Sequence, residues 1–204
     1  MIRHRSGFVL GYHGCDGAVA EAILGGDPMR IRTKDYDWLG PGAYFWEGDA
    51  VRAREWAEQR VAEGAYAAPA VIGAVIELGN CLDLTIRSHL ELLAVAHASL
   101  KAAFDRAGKP MPKNRGAPKG GGAADKPLRY LDCAVIKHLH NNLDADAREK
   151  RLRGEVPDLE PFDTVRGLFH EGTQLYDGGG FFTHTHAQIA VRSTDSIRGF
   201  FRPR

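Results

Sequence analysis

Histidines, cysteines and carboxylates are where catalysis and metal binding begin, and this chain sets several of them beside glycines. In Tyr12-His13-Gly14-Cys15 an imidazole lies two residues from a thiol, the pair of groups that makes an activated cysteine nucleophile. They flank a glycine-permitted turn, and no third group that would orient the imidazole can be identified. His184-Thr185-His186 sets two imidazoles on one face of an extended segment, a geometry that zinc accepts, with His170 or Asp177 as a further ligand. No Cys pair or helical His-x-x-x-His accompanies them, so surface-strand or loop histidines are the expectation and no metal is predicted. His138 and His140, at i and i+2 on a helix, point to different faces. The Gly120-Gly121-Gly122 run lies near Lys119 and Lys126, but Gly-x-x-x-x-Gly-Lys-Ser/Thr is absent and no phosphate loop is expected. Tyr44-Phe45-Trp46 offers three aromatic faces, and Gln188 is a polar residue opening an apolar strand.

The elements that must position these residues alternate in type. Residues 8–14 read as a strand running into a turn, and Asp16 can cap a helix over 18–24. After a polar loop to Trp38, residues 39–46 end in a strand. Asp49 caps a helix over about 50–63, with Val51, Trp56, Ala57 and Val61 on one face. The β-branched run at 70–78 predicts a strand, and 81–84 a short extended piece. Leu92, Leu93, Ala96, Leu100 and Phe104, spaced at threes and fours, predict a helix over 89–107. Residues 108–126, rich in Pro, Gly and Lys, read as a flexible loop. A helix follows over 128–143 with Leu131, Val135, Ile136 and Leu139 inward. Short strands are expected at 165–169, 181–183 and 188–192. The locally basic end, Arg198 through Arg204, reads as a solvated terminus. Strands at both ends with helices between them predict an α+β fold.

Three separated fragments together resemble the ADP-ribosyltransferase superfamily, in the branch shared by diphtheria-type toxins and poly(ADP-ribose) polymerases. Tyr12-His13-Gly14-Cys15 is similar to the family's His-Gly at the end of its first strand. The resemblance implies that His13 bonds the NAD ribose and that the Gly14 backbone holds the nicotinamide amide, glycine allowing close approach. Gly40-Pro41-Gly42-Ala43-Tyr44-Phe45-Trp46 with Ala53-Arg54-Glu55-Trp56 resembles the family's Gly-x-Gly-x-Tyr-Phe strand and the following helix. It implies that Tyr44 stacks on nicotinamide, with Trp56 as a second stacking aromatic if one residue is inserted. Ala187-Gln188-Ile189-Ala190-Val191-Arg192, with Ile197 after it, resembles the strand that carries the family's catalytic glutamate.

At that position this chain has Gln188, which keeps a hydrogen bond but lacks the charge that stabilises an oxocarbenium-like centre. The resemblance therefore implies single-unit transfer or NAD binding alone, and argues against chain building. Glu171 lies where the family's substrate-recognition loop falls and is the candidate substitute acid or base. The implied fold is a split β-sheet core with flanking helices. The implied function is NAD-dependent mono-ADP-ribosyl transfer to a macromolecular acceptor, protein or nucleic acid. The catalytic set is His13, Tyr44, Gln188 and Glu171, and His13, Gly14, Tyr44 and Trp56 bind NAD. The alternatives are a non-catalytic NAD or ADP-ribose binding module and an NAD glycohydrolase. Small proteins of this resemblance are often bacterial toxins, effectors or phage-defence enzymes, which implies an antitoxin or immunity partner.

The 204 residues suit a single domain, and 27 Lys and Arg against 26 Asp and Glu give a net charge of +1, too little for an overall field that attracts nucleic acid. Cys15, Cys81 and Cys133 are odd in number and widely spaced, which is not a disulfide framework and suits a reducing compartment. Without a long apolar stretch, no membrane association and a cytoplasmic location are expected.

Overall fold

The computed structural model describes residues 7–116 and 128–204. In chain order these form β1 (Phe8–Asp16), α1 (Gly17–Leu24), β2 (Ala43–Glu47), α2 (Ala50–Ala62), β3 (Pro69–Glu77) and β4 (Cys81–Asp83). There follow α3 (Arg87–Arg106), α4 (Tyr130–Leu152), β5 (Thr164–Phe169), β6 (His186–Val191) and β7 (Ile197–Phe201). The fold is α+β. Both expected caps form: the carboxylates of Asp16 and Asp49 accept from Ala18 N at 3.0 Å and Arg52 N at 2.8 Å. Each satisfies a backbone donor that the first helical turn leaves free.

Several expectations are corrected. α4 runs past Leu143 to Leu152, because a polar segment with Ala147 buried and a Lys150–Asp146 pair at 3.4 Å continues the helix without an apolar period. Residues 181–183 do not form a strand; Phe182 makes one isolated bridge to Gln174, and Phe181 is exposed. The C-terminal segment is no solvated tail: Ile197–Phe201 pairs with β3, and Arg198 and Arg202 bond Glu77 and Glu21. On α2 the buried residues are Ala53 and Ala57, while Val51 is 70% exposed. Of the loop expected at 108–126, residues 108–116 are irregular apart from an Arg115↔Leu128 bridge. The Lys119, Gly120–Gly122 and Lys126 stretch lies outside the described residues.

The strands form one seven-stranded sheet in the order β4-β5-β6-β2-β1-β3-β7, antiparallel except for β4 with β5. Two separate sheets are not what forms. The continuity at the centre is nevertheless narrow: β1 pairs with β3 from Phe8↔Glu77 to Asp16↔Pro69, but with β2 only at Gly11↔Glu47 and Tyr12↔Trp46. Beyond Tyr12 the two strands diverge.

Both faces of the sheet are covered. Side chains alternate along a strand, so Ile189 and Val191 join one core with Ala20 and Ile23 of α1, while Ala190 joins another with Leu100 of α3 and Ile136 of α4. Register partners share a face, which places Tyr44, Trp46, His186 and Gln188 on the same side of β2 and β6. Arg166 of β5 bonds both Glu47 of β2 and Asp83 of β4, fixing three strands at that end of the sheet. No helix among the described residues is long and apolar enough to cross a membrane.

Candidate functional site

A cavity of about 710 Å³ opens where β1 and β2 part, walled by the segment between α1 and β2, the start of α2 and the loop after β5. This is within the range of small-molecule and cofactor sites. Five of the six residues singled out in the sequence line it: His13, Tyr44, Trp56, Glu171 and Gln188. Gly14 does not. A Cβ there would lie 2.2 Å from the Ala53 carbonyl oxygen, so this glycine serves the close approach of β1 to α2.

His13 bridges the gap between the diverging strands. Its Nδ1 lies 2.8 Å from the Tyr44 carbonyl oxygen, where a backbone ladder bond would otherwise run. A carbonyl only accepts, so Nδ1 carries the proton and Nε2 of the neutral ring is an acceptor. Burial, reinforced by the charge of Arg32 and opposed by that bond, lowers the His13 pKa to about 4. At neutral pH the ring is uncharged, fit to accept a hydroxyl hydrogen.

Tyr44 is held by its hydroxyl, which donates to the Gly40 carbonyl at 2.7 Å and accepts from Leu39 N at 2.9 Å. With both bonds made to the preceding loop, the ring is fixed and presents its carbon surface to the cavity. Burial and the nearby Asp37 carboxylate raise its pKa, keeping the phenol protonated. Trp56 packs on Trp46 with ring centroids 6.1 Å apart.

Gln188 accepts from the indole Nε1 of Trp38 at 2.7 Å. The room for that indole comes from Gly167, the register partner of Gln188 on β5, where a Cβ would lie 2.7 Å from Trp38 Cη2. With its oxygen engaged, Gln188 presents its amide donor, for which no other partner exists among the described residues.

Glu171, in the loop after β5, bonds Arg52 Nη2 at 2.8 Å and lies 3.9 Å from Nδ1 of His186. The Arg52 side chain is 12% exposed and the Glu171 side chain 28%, so the pair is shielded but not sealed. Arg52 also lies over the Trp46 ring, 5.8 Å from its centroid. His186 opens β6 and is buried, whereas His184 lies in the turn before it and is exposed, so the expected extended segment carrying both imidazoles does not form. Its Nδ1 is 2.7 Å from the His184 carbonyl. Burial lowers its pKa and it is neutral, with Nε2 as an acceptor. Nε2 of His186, Nε1 of Trp46 and Nε of Arg52 are buried in the cavity lining without a hydrogen-bond partner among the described residues. Buried polar atoms of this kind are costly unless something completes them.

Sequence reasoning missed Trp38, Arg52 and Asp37. Asp37 lines the cavity with a partly buried carboxyl whose Oδ2 has no partner and whose pKa burial pushes up. Nothing in the local spacing of Arg52 or Asp37 marks them; only the aromatic character of Trp38 beside Gly40 was a signal. The three cysteines are free, and burial raises each thiol to about 11, which removes them as nucleophiles at neutral pH. No group of three or more His, Cys, Asp or Glu suited to a metal ion occurs among the described residues. In comparisons with family models, curated proteins and solved structures, nothing matches this chain.

Proposed function

We propose that this cavity binds NAD and that the protein transfers its ADP-ribose, one unit at a time, to a macromolecular acceptor. The observation that carries this is the convergence, on one cavity, of His13, Tyr44, Trp56, Glu171 and Gln188 from distant parts of the chain. His13 Nε2 accepts from a ribose hydroxyl, the Tyr44 and Trp56 rings offer faces to the cationic nicotinamide, and the Gln188 amide donates to ribose oxygen. The bond between the ribose anomeric carbon and the nicotinamide nitrogen breaks with its electron pair going to the ring, which becomes neutral. The acceptor's lone pair forms the new bond to that carbon, and its proton passes to Glu171.

A second reading is a module that binds NAD or ADP-ribose without turnover. It is favoured by one feature, the pairing of Glu171 with Arg52, which commits to an ion pair the carboxylate proposed to replace the charge absent at Gln188. Incubation with labelled NAD and a cell lysate separates the two. Nicotinamide release and label on macromolecules, both lost in Tyr44→Ala, are the transferase outcome. Saturable NAD binding with no nicotinamide release under any lysate condition is the binding-module outcome and overturns the transferase.

A further inference from the structure

We propose that the rim of the cavity is a docking strip for single-stranded nucleic acid. Along it, cations lie against paired aromatic rings. Lys34 Nζ lies 5.3 Å from the centroid of Tyr36, Tyr36 packs edge-on against Tyr130 at 5.8 Å, and Arg115 lies 5.5 Å from the Tyr130 ring. Tyr36 also accepts through its carbonyl from Arg129 N. The Arg129 guanidinium lies 5.1 Å from Phe169, which in turn packs at 5.1 Å on Trp38. The strip thus runs from the outer surface to the Trp38–Gln188 wall of the cavity.

Its charge is unspent. Among the described residues Arg30, Arg32, Lys34 and Arg115 have no ion-pair partner, and all four are exposed. The nearby carboxylates are largely committed: Asp35 to Lys137 at 2.8 Å, and Asp132 to Asn114 and Arg129. Asp27 and Asp37 remain on the cavity wall, and the four cations outnumber them. A cation over a ring at an exposed site is weakly held, and a phosphate draws it away, uncovering the ring face for a base. Phosphate contacts combined with base stacking are how single strands are bound without base-edge readout, whereas a duplex keeps its π-faces closed. The local strip succeeds where net charge fails, because the overall +1 averages over paired surface ions.

This deepens the transferase reading by supplying its acceptor, since a strand on the strip reaches the cavity beside Trp38 and Phe169. Docking itself does not require turnover, so it is measured without NAD. The probes are fluorescein-labelled oligouridylate and oligothymidylate of about 12 nucleotides, and a duplex of the same length. Both single strands are expected to bind at least about tenfold more tightly than the duplex. With about three phosphate contacts, a fourfold rise in salt weakens binding roughly twentyfold. Lys34→Ala with Arg115→Ala, both at exposed positions, lowers affinity about tenfold and flattens the salt dependence. Tyr36→Ala weakens binding about fivefold or more with the salt dependence unchanged, and Tyr36→Phe restores it. Circular dichroism confirms that each variant is folded. Absence of binding at low salt, equal binding of the duplex, or affinity unmoved by these substitutions overturns the proposal. The transferase reading survives any of these results, because it is read from nicotinamide release.

Discussion

Trp38 and Gln188, on a loop and on β6, are joined by a 2.7 Å hydrogen bond from indole Nε1 to Oε1. The bond settles which end of the amide faces the cavity, since an oxygen engaged with a donor leaves the NH2 as the outward group. A glutamate here would accept the same indole hydrogen and add a charge, so the site holds the carboxylate geometry without the carboxylate.

On the proposed transferase reading, Gln188→Glu is expected to raise the rate of nicotinamide release about tenfold or more, because a charge-assisted contact to the ribose would be stronger than a neutral one. Trp38→Phe frees the amide to rotate and lowers the rate about tenfold, equivalent to roughly 1.4 kcal/mol in the barrier. Both are read from single-turnover assays. A rate unchanged in both variants would remove Gln188 from the reaction.

Arg52 and Glu171 tie the first turn of α2 to the loop after β5. Exposed pairs contribute almost nothing and buried ones several kcal/mol when broken, and the partial shielding here sets the expectation at about 1–2 kcal/mol of coupling. Denaturant midpoints of Arg52→Ala, Glu171→Ala and the double variant measure it. Glu171→Gln keeps a bond to Arg52 but cannot take a proton, so nicotinamide release is expected to persist while transfer to the acceptor falls. Loss of both together would make Glu171 a tether only.

Local pattern accounts for much of this architecture. The period of Leu92, Ala96 and Leu100 on α3, the Asp16 and Asp49 caps and the β-branched run of β3 each carry their own signal, since propensity and alternation act over a few residues. β7 does not, because an edge strand bearing Arg198 and followed by Arg202 is held by β3, Glu77 and Glu21, none of them neighbours in sequence. The same holds at the site. His13 and Tyr44 stand out through the order of the fragments that carry the resemblance, but the role of Arg52 depends on Glu171, more than a hundred residues away, and that of Trp38 on Gln188. The narrowing of the sheet to two register pairs between β1 and β2 is a long-range property that no segment encodes alone.

Gly14→Ala is expected to destabilise the fold rather than to affect ligand binding directly. The added methyl would meet a backbone oxygen of α2, which cannot rotate away as a side-chain end could. Forced overpacking costs about 1–3 kcal/mol, a fall in Tm of roughly 2–12 °C for a chain of this size. Thermal melts with and without NAD separate the effects, since a purely structural glycine lowers both curves by the same amount.

Acid should weaken the fold through its buried histidines. Burial, helped by the charge of Arg192, lowers the His140 pKa to about 3 from the usual 6.5, and His13 falls to about 4. Below 6.5 the unfolded chain binds protons that these folded rings refuse. Their neutral packing therefore contributes stability fully above that pH, and the contribution is lost as pH falls toward 4 and then 3. His140 is 3% exposed, packs against Phe162, and has no hydrogen-bond partner for either ring nitrogen among the described residues. Nothing polar is forfeited when it is replaced. His140→Leu is expected to change Tm little or raise it at about pH 8 and to raise it clearly at about pH 5, by an amount reflecting about 2 kcal/mol at roughly 1.4 kcal/mol per pH unit below 6.5. Melts across that range test it, and a Tm difference that does not grow on acidification would show that His140 takes up its proton without unfolding.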